Sequence, residues 1–170
     1  MSSLHMAFYC AIIGGASLLF IVAALRDITL RTIPNAACAG LVLIGVMLRL
    51  QDGWIIQGVL LALLVFGGAV FCWRRGWMGG GDVKLLGAAA FVVSPQQVGH
   101  LFLLTAECGG VLALVYLALS RIVRLAPAGQ PVGALARILR AERWRIRRGA
   151  PLPYGLAIAF SGVALLLTGS

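Results

Sequence analysis

The sequence predicts an all-α, polytopic membrane protein: a bundle of six transmembrane helices with both termini outside. Three observations carry that expectation. Of its 170 residues, 61% are hydrophobic and only 11% charged, with a mean hydropathy of +1.01. A soluble domain carries about 25% charged residues, so this chain has too little polar surface to face water on every side. Apolar runs recur that approach the roughly 20 residues a bilayer-spanning helix needs. Basic residues also gather in alternate connections between those runs.

The first run, Leu4–Leu25, lacks the basic segment that opens a signal peptide and is followed by Arg26 and Arg31. It reads as a retained helix. Pro34-Asn35 lies in the turn that opens the second run, Ile33–Leu48, and Asp52-Gly53 turns into the third, Trp54–Trp73. Gly79-Gly80-Gly81 precedes the fourth, Val83–Val93, and Ser94-Pro95 separates it from the fifth, Val98–Val123. A long polar stretch from Arg124 leads to the sixth, Leu152–Leu167. Glycine and proline at these breaks are ordinary turn signals. The fourth run is short. As a helix it rises only about 17 Å, against a hydrocarbon core of about 30 Å.

The formal net charge is +9, from 14 Lys and Arg against five acids. The first connection holds Arg26 and Arg31, the third Arg74, Arg75 and Lys84, and the fifth a dense arginine series. The second has only Arg49, near Asp52, and the fourth has no charge. Positive loops stay in the cytoplasm, so the odd connections are expected there. The short fourth run must then cross, because otherwise the third and fifth connections would fall on opposite sides. Its start is expected below the membrane surface. No recognition motif accompanies the charge, so no nucleic-acid partner is expected. The whole chain, 1–170, is expected to be one membrane-embedded domain. Its basic cytoplasmic loop, 124–150, contains Val132–Arg148, where an apolar stripe among arginines suggests an interfacial helix on anionic lipids.

Four cysteines, Cys10, Cys38, Cys72 and Cys108, are scattered through apolar runs with no C-x-x-C and no Cys/His cluster. Neither a metal nor another cofactor is expected. The five acids are more informative, because a carboxylate at membrane depth costs about 2.5–3.5 kcal/mol on insertion scales. Asp52 sits in an outer turn and Glu142 among arginines. Glu107 lies about 15 Å into the fifth run at helical rise, where hydrogen bonding to a neighbouring helix is expected. Asp27 and Asp82 differ from these. Asp27 is expected just after the first helix and Asp82 at the start of the fourth, so both fall at the cytoplasmic side although 55 positions apart.

If their helices are neighbours, Asp27 and Asp82 form a catalytic dyad. Two close carboxylates do not both ionise readily, so the pair shares one proton. The ionised member can take a proton from an attacking water while the protonated member donates to a peptide carbonyl oxygen. Each acid also has a plain structural role open to it: Asp82 as a helix cap, Asp27 as an i,i+4 partner of Arg31. Gly79, Gly80 and Gly81 would let a substrate strand approach Asp82, though glycine triplets are also ordinary loop material. Pro153, Tyr154 and Gly155 open the sixth helix on the same side, either as a simple helix start or as a third wall of a cleft.

These residues together resemble the type IV prepilin peptidases. Gly79-Gly80-Gly81-Asp82 with Val83-Lys84-Leu85 is similar to their GxGD motif, Asp27 with Ile33-Pro34-Asn35 to their first aspartate motif, and Pro153-Tyr154-Gly155 to their late proline-aromatic-glycine element. The resemblance implies a multi-pass enzyme of the bacterial inner membrane. Such an enzyme cleaves the basic leader of a prepilin after a glycine at the cytoplasmic boundary, with Asp27 and Asp82 catalytic. It also implies that Gly79, Gly80, Gly81, Lys84, Pro34, Asn35, Pro153, Tyr154 and Gly155 shape the site. The paired C-x-x-C motifs of bifunctional members are absent, so the chain resembles the short form that serves Flp-type pili, and a methyltransferase activity is not expected. Two other classes compete. A proton-coupled transporter would distribute polar groups through the bilayer, whereas here they crowd one face. A structural subunit of a pilus or secretion machine would leave both aspartates without a purpose.

Overall fold

In the computed structural model the described residues are 3–122, 140, 143–144 and 152–168, and they contain six α-helices and no strand. The helices are α1 (Ser3–Leu30), α2 (Asn35–Asp52), α3 (Ile55–Arg74), α4 (Gly80–Val92), α5 (Val98–Ile122) and α6 (Tyr154–Thr168), with a 3-10 turn at Pro95–Gln97. Four of them, α1, α2, α3 and α5, are long and apolar enough to cross a membrane. The α6 helix is apolar but shorter, and α4 has 13 residues. Most of the 132–148 stretch read as an interfacial helix lies outside the described residues; Arg140, Arg143 and Trp144 are helical.

The chain forms two compact units. One comprises residues 1–106 and 153–170, the other 107–152. The first is built around α4. Its buried residues run without interruption from Leu85 to Val92, covering every face of the helix. A helix apolar all round is a buried one, and here α2, α3 and α6 cover it. This accounts for its length: a helix enclosed by protein need not match the bilayer. Its many alanines and Gly87 let the neighbours come close, which matters where lipid is as apolar as the side chains and packing must drive association. Phe91 lies so near Gly45 of α2 that a Cβ there would meet its ring at 2.6 Å.

The α6 helix also packs on α1, and α1 packs on α2. Phe20 of α1 is fully buried and fills the space beside Gly162, where a Cβ would lie 2.6 Å from the ring. The second unit, described by itself, contains the remainder of α5. Glu107 there is exposed and makes no hydrogen bond or ion pair among the described residues, so the helix partner expected for it is not found.

Arg49 corrects its sequence reading. Far from being a loop charge, it belongs to the last turn of α2 and is only 4% exposed. Its Nη2 lies 3.2 Å from Asp52 Oδ2 and donates to the Val92 carbonyl at 3.4 Å. That carbonyl ends α4, where helix acceptors lack partners and a cation complements the helix dipole. Gly58 makes room for the arginine stem, since a Cβ would come within 2.9 Å of Cδ. Arg49→Met keeps the stem and removes the cap. It is expected to cost about 1–3 kcal/mol, read as a lower unfolding midpoint in detergent. An unchanged midpoint would show that the cap contributes nothing.

Candidate active site

Asp27 lies inside α1, one turn before its end, rather than after the helix as the sequence suggested. The helix stops four residues later because Arg31 turns into the left-handed region (φ 54°) and its N–H donates to the Asp27 carbonyl at 3.0 Å. A single bond of this kind is a common helix ending, normally made by glycine. Asp27 is thus held by its backbone at the turn. Its side chain, in a residue only 7% exposed, is held as well: Oδ2 accepts the Gly155 N–H at 2.9 Å.

Asp82 is the third residue of α4, after the cap residue Gly79 and the helical Gly80 and Gly81. An acid in the first turn suits the positive end of the helix. Its carboxylate folds back over Gly79, whose N–H acts on it, and a Cβ at Gly79 would come within 2.9 Å of Oδ2. The charges of Asp27 and Arg31 also act on Asp82, and so does the Gly155 N–H. The Gly155 amide gives its hydrogen bond to Asp27 and lies near enough to Asp82 to act on its charge, so both aspartates stand near the first turn of α6.

The route by which they meet differs from the expected one. The α1 and α4 helices are not a closely packed pair; α6 packs on both and bridges them. Gly155 lets α6 come close at the level of Asp27. A Cβ there would lie 2.8 Å from Asp27 Oδ2, 3.0 Å from its Cγ and 3.0 Å from Ile33 Cδ1. Ile33 also fills the space beside Gly81, at 3.3 Å from a Cβ built there. This isoleucine packs between the two glycine elements and was missed as a site residue. The signal available was its place in the Ile-Pro-Asn turn that follows Asp27.

The remaining candidates take structural positions. Pro34 and Pro153 are cap residues: the Pro34 carbonyl accepts the Ala37 N–H at 3.1 Å and the Pro153 carbonyl the Leu156 N–H at 3.1 Å. Pro153 therefore precedes α6 and is fully buried. Gly80 faces the Trp73 indole, with Nε1 3.4 Å from a Cβ built there. Tyr154 is 40% exposed and is not brought into the group around Gly155 by any described contact. Lys84 points elsewhere, donating from Nζ to Asn35 Oδ1 at 3.0 Å. Among the described residues no three His, Cys, Asp or Glu side chains come together as metal ligands.

Two carboxylates near enough to feel each other's charge can divide the work of hydrolysis, one holding a proton and the other free to take one. Comparison with known families agrees with a peptidase. Residues 5–114, well over half of the chain, match the model of the type IV leader peptidase family. The match includes Asp27 and Asp82 but ends before Gly155. No curated protein and no solved structure is similar enough to match.

Proposed function

Because the chain belongs to the type IV leader peptidase family, and is a peptidase with several membrane-length helices, we propose that it is an aspartic endopeptidase that cuts the leader from Flp-type prepilins. The observation that supports the aspartic mechanism is that Asp27, fixed by the Gly155 N–H, lies close enough to Asp82 for the two charges to act on each other. One member of the pair is ionised and one protonated. The ionised carboxylate takes a proton from water as the oxygen attacks the scissile carbonyl carbon. The protonated carboxyl donates to the carbonyl oxygen. Collapse of the tetrahedral intermediate breaks the C–N bond, and the leaving nitrogen takes back a proton from the pair.

Asp27 and Asp82 are the catalytic residues in this reading. Gly79, Gly81 and Gly155 leave the space that their carboxylates and Ile33 occupy, and Pro34 and Pro153 start the helices that flank them. The Flp assignment is supported by the lack of C-x-x-C pairs in the connections between the apolar runs. The enzyme resides in the inner membrane with the aspartates facing the cytoplasm, supported by the arginines that crowd the odd connections. Anionic lipid then meets the basic loop.

Co-expression with a candidate pilin precursor tests the function: the precursor is expected to shift to the mature mobility on a gel. A precursor that stays full length beside a well-inserted enzyme would count against the assignment. Orientation is checked by single cysteines replacing Ser94 and Arg137, labelled with an impermeant maleimide. The expected outcome is labelling from opposite sides, and labelling from one side would overturn the six-crossing arrangement.

A further inference from the structure

The α2 and α3 helices both pack closely on α4 but far less on each other. They diverge over it and leave a groove of about 550 Å³, within the range of real ligand sites. Its floor is Gly87 and Ala88 of α4; Cys38 and Val42 of α2 form one wall, and Ala62 and Leu63 of α3 the other. The lining is apolar except at one end, where Asn35 and Lys84 stand bonded to each other. That end is the Asp82 end. Lys84 follows Asp82 by two residues, about 3 Å along the helix axis, and the groove then runs about 10 Å along α4 to Phe91.

We propose that this groove receives the apolar membrane segment of the substrate, and that the Lys84–Asn35 pair at its mouth sets which peptide bond reaches the aspartates. The proposal rests on the peptidase reading above and deepens it. Phe66 of α3 already covers Gly87, 3.0 Å from a Cβ built there, so an occupant packs against the Phe66 ring and the exposed wall side chains Val42 and Leu63. The mouth lies near Asp82 along the axis but about 200° around α4 from it, so a chain leaving the groove must wrap over the glycine end of α4 to reach the aspartates. The charge supplies direction. Lys84 keeps two ammonium donors beyond its bond to Asn35, and a cation there repels a basic leader. The apolar side of the cut therefore enters the groove while the leader stays outside. The first polar residue of the substrate stops at Lys84, which fixes the register.

Two measurements decide this. Ala62→Trp fills the groove from a half-buried wall position, away from the aspartates. In nanodiscs of phosphatidylethanolamine and phosphatidylglycerol, it is expected to raise KM for a full-length precursor about tenfold or more. Cleavage of a short soluble peptide that carries only the cut site should be unchanged. Equal loss on both substrates, or no loss on the precursor, would overturn the groove. Cleavage of neither substrate by the unmodified enzyme would instead remove the peptidase reading. The second measurement needs no cleavage. A photoreactive residue at Val42 or Leu63, exposed by 41% and 61%, should crosslink to the precursor's apolar segment in the Asp82→Asn enzyme, while one at Leu18 of α1 should not. A photoreactive phospholipid that labels these positions equally with and without precursor would identify a lipid site and overturn the proposal.

Discussion

Asp27→Asn and Asp82→Asn should each leave a pilin precursor uncut, with kcat/KM down by at least about 10³-fold, within the range assigned to general acid–base groups. Asparagine keeps the shape and the hydrogen-bonding oxygen, so the Gly155 N–H retains an acceptor at position 27. What it removes is proton exchange, and a mechanism that needs one proton donor and one acceptor fails whichever member is changed. The two losses should therefore be similar, and the double variant little worse than either single one, as for groups that act as a unit. Unfolding midpoints should stay close to that of the unmodified protein. Either variant cleaving within about tenfold of the unmodified rate would remove that aspartate from the chemistry.

Gly155→Ala should lower kcat about 100-fold without unfolding the protein. The added methyl would sit 2.8 Å from Asp27 Oδ2 and 3.0 Å from Ile33 Cδ1. Either the carboxylate swings away or α6 retreats from α1. Both displace Asp27 relative to Asp82, and a misplacement of about 1 Å can cost about 10²-fold in rate. Gly14→Ala is the matched control, since nothing lies within 4 Å of a Cβ there; its activity should be unchanged. Full activity in Gly155→Ala would mean that Asp27 works from a position other than the one described.

The prediction for Gly155 could not have come from the sequence. Six apolar runs, their order and their approximate ends were legible, because a segment that leaves water must be apolar for the length of a helix. The runs differ from the observed helices by a few residues, most at the end of the first, which continues to Leu30 and so takes in Asp27. Polar residues there hid the continuation: Arg26, Asp27 and Thr29 end the apolar run but not the helix. The aspartates themselves were also legible, because a carboxylate at membrane depth is costly wherever it is placed.

The neighbours of each helix were not legible. Hydropathy reports that a segment avoids water. It does not report whether lipid or protein replaces the water, since acyl chains and leucines are equally apolar. Only the tertiary structure decided that α4 is wrapped by protein, that buried Arg49 caps its far end, and that α6 bridges the two aspartates. The sequence by itself determined a helical membrane chain with two aspartates worth explaining. Packing, which depends on the shape of side chains and on the glycines that make room for them, decided that Asp27 bonds to Gly155 and stands within reach of the Asp82 charge.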